Sequence, residues 1–193
     1  MLATKLKNFH IILASGSPRR QTFFKELNVD FEIRVKPIDE IYDEKLKATD
    51  ITDYLADLKT KPFTEELREN DLLITSDTIV WLENKALGKP KDFNDAFKML
   101  KNLSGKTHTV ITSVSIKNKK FQKIFNDTTE VTFKNLTDKE IIYYLKNYEP
   151  YDKAGSYGIQ EWIGKIGIQE IKGSYFNVMG LPIHKLYKEL MNL

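Results

Sequence analysis

Two serines and two arginines stand close together in the segment Ser15 to Arg20, directly after the apolar run Ile11 to Ala14. The pattern predicts a strand followed by a helix that begins at Pro18. A helix N-terminus carries partial positive charge and unpaired N–H groups, so two arginines in its first turn are unfavourable unless an anion is bound. Backbone N–H groups, two hydroxyls and two guanidinium groups suit a phosphate chain, held by Ser15, Ser17, Arg19 and Arg20. The alternative is an ordinary strand-to-helix turn with solvated arginines, since the P-loop signature is missing.

Carboxylates that could hold a metal ion occur at two further places. Asp77 follows the apolar run 72–75, and a carboxylate at the end of a buried strand lies where α/β proteins place ligands. It could hold a metal ion or orient an attacking water, and an Asp that merely closes a turn is the alternative. Glu40 follows Asp39 in an acidic loop and could supply the second oxygen ligand of a magnesium-type ion, or could simply be solvated.

Two other polar residues lie on short glycine-containing segments. Lys89, in Gly88-Lys89-Pro90, precedes a predicted helix and could reach a phosphate as a point charge. Gln160 ends the segment 152–160, in which two glycines permit close backbone approach and the amide offers both a donor and an acceptor to a base edge. A surface lysine and a simple turn are the alternatives. The three histidines share no metal-ligand spacing and are interpreted as structural.

The elements that must position these residues alternate between strand and helix before a strand-rich middle. Strands are predicted at 10–14, 31–35, 72–75, 110–116 and 121–133, with a hairpin of 79–82 and 86–87 turning at 83–85. Helices are predicted at 18–28, in stretches of 51–67 interrupted near Pro62, at 93–103 after the cap Asp92, at 137–148 with a T-x-x-E capping box, and from 181 or 182 onward. Paired middle strands argue against a purely parallel, doubly wound sheet.

Composition limits the class of protein. The chain has 193 residues, enough for one domain with a real core, and 41% of them are hydrophobic. A net charge of +3 and the lack of a basic stripe argue against a nucleic-acid partner. The absence of cysteine excludes disulfides and thiolate chemistry, and it favours a cytoplasmic location. No apolar run reaches signal-peptide or membrane-span length, so no membrane partner is expected.

Taken together, the motifs resemble the Maf family of nucleotide pyrophosphatases, also called septum-formation-inhibitor-like proteins. The matching stretches follow the family's order across nearly the whole chain: ILASGSPRR, SDTIVWL, ALGKP, LSGKTHTVITSVSI, EPYDKAGSYGIQ and GSYFNVMGLPI. The resemblance implies one domain over residues 1–193. Its implied fold is α/β, with a mixed twisted sheet, helices and two lobes around a deep cleft, similar to inosine triphosphate pyrophosphatases.

The resemblance also implies an activity, namely hydrolysis of nucleoside triphosphates between the α- and β-phosphates with a divalent cation such as Mg²⁺ or Mn²⁺. It makes Asp77 the general base and, with Glu40, a metal ligand. Ser15, Arg20, Lys59 and Lys89 join the catalytic and phosphate-binding set. Lys59 corresponds to the lysine of an L-A-x-x-K pattern, here followed by a threonine where the family usually has alanine, so Lys61 is the fallback.

The family divides by substrate. The branch that acts on dTTP and UTP carries an Arg-Arg pair, an Asp-Thr pair and a glutamine after Tyr-Gly-Ile; this chain has Arg19-Arg20, Asp77-Thr78 and Gln160. One departure is Glu161, which stands where a glycine is usual and could accept a hydrogen bond from a base amino group, thereby admitting CTP. Alternatives are a pyrophosphatase for 7-methyl-GTP or other modified nucleotides, and a nucleotide-binding regulator of cell division. The sequence leaves a homodimer open.

Overall fold

The chain forms a mixed α/β fold around a seven-stranded sheet in a computed structural model that describes residues 1–193. The strand order is β2-β1-β3-β5-β6-β7, with β4 paired to β3. The strands are β1 (His10–Leu13), β2 (Phe31–Ile33), β3 (Asp71–Leu82), β4 (Lys85–Leu87), β5 (Thr107–Lys117), β6 (Gln122–Phe133) and β7 (Ile168–Lys172). The helices are α1 (Leu2–Leu6), α2 (Pro18–Glu26), α3 (Thr49–Leu58), α4 (Phe93–Leu103), α5 (Asp138–Tyr148), α6 (Trp162–Gly167), α7 (Tyr175–Val178) and α8 (Ile183–Met191). None of these helices is long and apolar enough to cross a bilayer.

The chain divides into two compact units. The first unit comprises residues 1–77, 112–127 and 180–193, and the second comprises residues 78–111 and 128–179. Parallel pairing of β1 with β2 and β3, together with antiparallel pairing of β3 with β4 and of β6 with β7, makes the sheet mixed. The predicted α/β class with a mixed sheet is therefore confirmed.

In the first unit, β1 lies between β2 and β3, with Ile12 opposite Glu32 on one side and Leu73 on the other. Short, continuously apolar strands of this kind suit a sheet covered on both faces. Ile12 and Leu73 pack in a buried cluster with Phe63 and Leu67, which come from the segment that follows α3. This packing holds the segment that follows α3 against the strand that carries Asp77.

In the second unit, the helices α4 and α5 begin where their caps predict. The Asp92 side chain accepts a hydrogen bond from the backbone N–H of Asp95, and Thr137 and Glu140 form the full capping box. The β3–β4 hairpin turns through Glu83 and Asn84, which both have positive φ, as a tight primed turn requires. The core of this unit packs the apolar faces of both helices onto the strands.

One sequence prediction is corrected by the structure. The strand predicted at 72–75 does not stop before Asp77, because β3 continues from Asp71 to Leu82. Nearly every residue of β3 is buried, so the strand persists through Ser76 and Asp77 where local composition indicates a turn. Ser17 occupies the N-cap position of α2, although its hydroxyl makes no capping hydrogen bond.

The elements α6, β7 and α7 are absent from the sequence predictions. They are short and lie in the glycine-rich part of the chain after Pro150, where glycines hide the helical and strand periodicities. The helix α6 places Gly164 against the segment that contains Gln160: a Cβ atom built on Gly164 would lie 1.9 Å from the carbonyl oxygen of Ile159. The close approach of these backbones explains why a glycine is needed there.

We expect Gly164→Ala to lower the free energy of unfolding by about 1–3 kcal/mol, because the added methyl group overpacks a buried backbone contact. Gly88→Ala is the matched control, since a Cβ at Gly88 meets nothing within 4 Å. Urea unfolding at constant m-value measures both changes. Equal midpoints for the two variants would contradict the close approach of Gly164 to Ile159.

Candidate active site

The ammonium group of Lys59 lies between two carboxylates of the first unit. Its Nζ is 2.6 Å from Asp77 Oδ1 and 3.0 Å from Glu40 Oε1. The side chains of Lys59 and Asp77 are 17% and 8% exposed, whereas that of Glu40 is 44% exposed. A charge pair this well buried interacts strongly because water screens it little. The Lys59–Asp77 pair is therefore the electrostatic centre of the site, with Glu40 at its solvent side.

The position of Lys59 follows from the way in which α3 ends. Lys59 is the C-cap of α3, and the last carbonyls of a helix need partners from outside the helix. The hydroxyl of Thr75, fully buried, donates to the carbonyl oxygen of Ala56 at 2.6 Å. Side chains two residues apart on a strand share a face, so this bond ties the last turn of α3 to the face of β3 from which Asp77 projects. The Thr75–Ala56 hydrogen bond thus fixes the position of Lys59 relative to Asp77.

Arg20 reaches the same region from the first turn of α2. Its Nε donates to the carbonyl oxygen of Gly180 at 2.7 Å, and its Nη1 donates to the carbonyl oxygen of Ser76 at 3.0 Å. Desolvation lowers the pKa of Arg20 to about 10, although the negative charges of Asp77 and Glu40 act in the opposite direction. Arg20 remains protonated at neutral pH, so a fixed cation stands beside the carboxylates.

The two predicted serines also lie at the start of α2. Ser15 is buried, and its Oγ accepts a hydrogen bond from the backbone N–H of Ser17 at 3.3 Å and one from Arg20 Nη1 at 3.4 Å. The side-chain amide of Gln21 donates to the carbonyl oxygen of Ser15 at 3.2 Å, which fixes the turn. Hydroxyl groups and a guanidinium at a helix N-terminus form a region suited to an oxyanion.

Three predicted residues belong to the second unit: Thr78, Lys89 and Gln160. Lys89 is exposed on the segment that follows the β3–β4 hairpin. The backbone N–H of Gly155 donates to the carbonyl oxygen of Gly88 at 3.0 Å, so the segment bearing Lys89 is joined to the one bearing Gln160. Gln160 Oε1 is buried and has no hydrogen-bond partner. A buried acceptor without a donor is costly unless a ligand supplies one.

The donors at Asp77 and Glu40 fit a hard divalent cation. The chain has no group of three or more His, Cys, Asp and Glu side chains that could hold a metal ion. Mg²⁺, however, is commonly bound by one or two carboxylates, with substrate phosphates and waters as the other ligands. Asp77 and Glu40 both approach the Lys59 ammonium, so two carboxylates already face one positive charge.

The geometry separates the two candidate lysines. Lys61 lies two residues after Lys59 in the chain, its Nζ is 2.7 Å from Asp57 Oδ2, and its side chain is 59% exposed. Only Lys59 is joined to the predicted site residues Asp77 and Glu40. The sequence did not single out Thr75 or the carbonyl oxygen of Ser76. In the sequence, a threonine such as Thr75 indicates only a β-strand, and the role of a backbone carbonyl cannot be inferred from the residue type.

Comparisons with known proteins place this geometry in context. A family model described as Maf-like protein matches residues 10–193. The chain is 61% identical to the "dTTP/UTP pyrophosphatase" of Flavobacterium psychrophilum, across 100% of this chain and 98% of that protein. It is 58% identical to the protein of the same name from Flavobacterium johnsoniae, across 100% of both chains. The "Staphylococcus aureus Ham1 protein" is similar in structure, with a TM-score of 0.55, 16% identity, and coverage of 95% of this chain and 98% of that one.

The Ham1 likeness, at this low identity, concerns the fold alone. It confirms the predicted similarity to that α/β architecture. The family match covers nearly the whole chain, and the relatives in Flavobacterium are similar from end to end. The family resemblance read from the sequence motifs is therefore confirmed.

We expect Lys59→Met to lower the free energy of unfolding by about 1–3 kcal/mol. The change leaves Asp77 buried without its cation; a fully buried pair costs roughly 3–5 kcal/mol when one partner is removed, and partial exposure reduces this. Lys61→Met is the matched control and should change stability by less than about 1 kcal/mol, because its ion pair is largely exposed. Denaturant unfolding of both variants tests the assignment. A larger loss for Lys61→Met than for Lys59→Met would overturn it.

Proposed function

The chain belongs to the Maf family, and from that premise we propose that it hydrolyses dTTP and UTP to the nucleoside monophosphate and pyrophosphate. The observation that carries the proposal is the cluster in which Lys59 joins Asp77 to Glu40 while Arg20 lies beside them. Carboxylates for a metal and a water, next to cations for phosphate, are the groups that hydrolysis of a phosphoanhydride requires. The names of the Flavobacterium relatives support the same substrate pair.

Asp77 is the proposed general base and orients the attacking water. A carboxylate is a weak base at neutral pH, so removal of a proton from the water needs a metal ion that acidifies that water. Lys59 compensates the negative charge of Asp77 and fixes the direction of its carboxylate through a 2.6 Å contact. The geometry thus holds a single acceptor oxygen in place and leaves the rest of the carboxylate for water or a cation.

The proposed cofactor is a divalent cation, Mg²⁺ or Mn²⁺, with Asp77 and Glu40 as its protein ligands. Such an ion acidifies a bound water and neutralises charge on the phosphates. Glu40 is the more exposed of the two carboxylates and lies further from Lys59 than Asp77 does, so it can adjust more readily to an incoming ion. Both proposed ligands are carboxylates, and metal ions such as Mg²⁺ and Mn²⁺ prefer oxygen ligands of this kind.

The phosphate chain is the proposed ligand of the turn at the start of α2. Arg20 contributes a fixed guanidinium, and Ser15 and Ser17 contribute hydroxyls and backbone N–H groups. Arg19 and Lys89 add further positive charge to the proposed set. Contacts with the β- and γ-phosphates would position the substrate for reaction, because these two phosphates leave together as pyrophosphate.

The base is the proposed ligand of Gln160 and Thr78. The orphaned Oε1 of Gln160 needs a donor, and N3–H of thymine or uracil supplies one, while the amide nitrogen donates to a neighbouring base carbonyl. Thr78 offers a small hydroxyl next to Asp77 in the chain. A purine, or a cationic methylated purine, leaves buried polar groups of such a site unpaired.

We expect kcat/KM to be higher for dTTP and UTP than for CTP, GTP and 7-methyl-GTP when all five are measured with the same cation. Gln160→Glu should lower kcat/KM for dTTP and UTP by at least about tenfold, because one donor is lost and a buried acceptor is added. Gln169→Glu is a suitable control, since Gln169 is exposed on β7 in the same unit as Gln160, and kcat/KM should stay close to that of the unmodified protein.

Highest activity on 7-methyl-GTP in the unmodified protein would contradict the assignment to pyrimidine nucleotides. Absence of turnover on every nucleoside triphosphate, with either cation, would contradict the proposed hydrolysis itself.

A further inference from the structure

Glu161, the residue that departs from the family's usual glycine, does not leave its carboxylate free for a base. Its Oε1 lies 3.1 Å from Lys153 Nζ, and its Oε2 accepts a short hydrogen bond from the hydroxyl of Tyr144. The side chains of Lys153 and Glu161 are only 10% and 19% exposed. Both carboxylate oxygens are thus engaged by protein groups in the second unit.

The ion pair joins the two ends of the segment 153–161, which contains Gln160. Tyr144 reaches the middle of the same segment, because the backbone N–H of Gly158 donates to its hydroxyl at 3.0 Å. Burial and the hydrogen bond to Glu161 raise the pKa of Tyr144, so its hydroxyl stays protonated and keeps donating. The contacts run without a gap from Gly158 through Tyr144 and Glu161 to Lys153.

The support behind these contacts is rigid. Tyr144 is fully buried on α5, whose first turn is fixed by the capping box of Thr137 and Glu140. Its ring stacks on that of Tyr148 at a centroid distance of 5.1 Å. A side chain held in this way can fix the position of the segment it contacts.

The side chains of Glu161 and Gln160 both lie close to Gly158, where there is no Cβ atom. A Cβ atom on Gly158 would lie 2.8 Å from Glu161 Cδ and 3.1 Å from Gln160 Nε2. The carboxylate of Glu161 and the amide of Gln160 therefore cover the same backbone atom. Movement of Glu161 would free the space that confines the Gln160 amide.

The position of Glu161 in the chain makes its contacts more informative. It is the N-cap residue of α6, but its side chain makes no capping hydrogen bond. A carboxylate at an N-cap ordinarily gains from the first-turn N–H groups. Here it forgoes that interaction and instead contacts Lys153, at the start of the segment 153–161, and Tyr144 on α5.

We propose that Lys153, Glu161 and Tyr144 form a loop clamp that positions Gln160 for the base, and that Glu161 is a positioning residue for nucleotide selection rather than a base ligand. The proposal rests on the proposed function in assigning Gln160 to the base. In this proposal the buried ion pair serves to hold one conformation of the segment, since the cost of burying both charges offsets much of its contribution to stability. Holding the segment in one conformation removes the penalty that a ligand pays to select it.

The test compares the clamp variants Glu161→Gly and Glu161→Gln with the control Glu170→Gln, which alters an exposed glutamate paired only with Lys172. Hydrogen exchange of the backbone amides of residues 155–160 is followed in the nucleotide-free protein, and kcat and KM are measured for UTP and CTP.

We expect Glu161→Gly to speed exchange in residues 155–160 and to raise KM for UTP about tenfold, as for a segment that is competent about a tenth of the time. The kcat should stay within about threefold, since the groups around Lys59 are untouched, and the preference for UTP over CTP should shrink. Glu161→Gln should show smaller changes of the same kind, because it keeps an acceptor for Tyr144. The control should match the unmodified protein.

A double variant, Lys153→Met with Glu161→Gln, distinguishes the ion pair from general disruption. Lys153→Met alone leaves the buried carboxylate of Glu161 without its cation, whereas the double variant also removes the charge of Glu161. The exposed Asp152, which pairs with Lys153 at 2.6 Å, loses this contact equally in both variants. We expect KM for UTP to lie closer to the normal value in the double variant than in Lys153→Met.

Two results would overturn the proposal. The first is unchanged exchange and unchanged KM for UTP in both Glu161 variants. The second is a loss of CTP turnover alone, which would make Glu161 a ligand of the base amino group. The exchange measurement needs no substrate, so it judges the clamp even if the unmodified protein hydrolyses neither nucleotide, a result that would instead contradict the proposed function.

Discussion

The buried ion pair between Lys59 and Asp77 is the interaction on which the rest of the candidate site depends. Taking both charges out of water is expensive, and the 2.6 Å contact offsets that cost only while helix α3 and strand β3 keep their register. The Thr75–Ala56 hydrogen bond and the apolar packing of Ile12, Phe63 and Leu73 maintain that register. Glu40 and Arg20 then act on a carboxylate whose direction is already fixed.

The groups proposed for chemistry and those proposed for the base are built differently. In the first unit, Lys59, Asp77 and Arg20 are held by ion pairs and by hydrogen bonds to carbonyl oxygens, so the positions of the charges are set by backbone. In the second unit, Gln160 lies in the connection between a short 3-10 helix, Ala154–Ser156, and α6. Its order comes from side-chain contacts, among them the pair of Lys153 with Glu161. A site of the second kind can change its preferred base through few substitutions, while one of the first kind cannot change its chemistry so readily.

Much of the fold could be predicted from the sequence because caps and periodic apolar residues leave local signals. The starts of α4 and α5 follow from Asp92 and from the capping box of Thr137 and Glu140, and all three side chains make the expected bonds. The prediction that the strand ends before Asp77 was wrong, because burial by tertiary contacts extends β3 where local composition favours a turn. The elements after Pro150 were missed for a related reason: they are short and are stabilised by packing rather than by periodicity.

The candidate site was predictable only in part. Motif order pointed to Asp77, Lys59 and Glu40, and the structure brings these three together; their catalytic roles, like the extent of a single domain over residues 1–193, stay predictions. The sequence indicated that Glu161 was unusual, yet it favoured a contact with the base. Its partners, Lys153 and Tyr144, are eight and seventeen residues away in the chain, and no local pattern joins them to it.

Phosphorus NMR of the products at early times tests the central claim most directly, namely that the groups around Asp77 cleave the bond between the α- and β-phosphates. With UTP and Mg²⁺ or Mn²⁺, the account predicts monophosphate and pyrophosphate in equal amounts. A folded Asp77→Asn variant should form both at least about 100 times more slowly, because it has lost its acid–base group. Early release of orthophosphate with nucleoside diphosphate, or rapid turnover by Asp77→Asn, would contradict it.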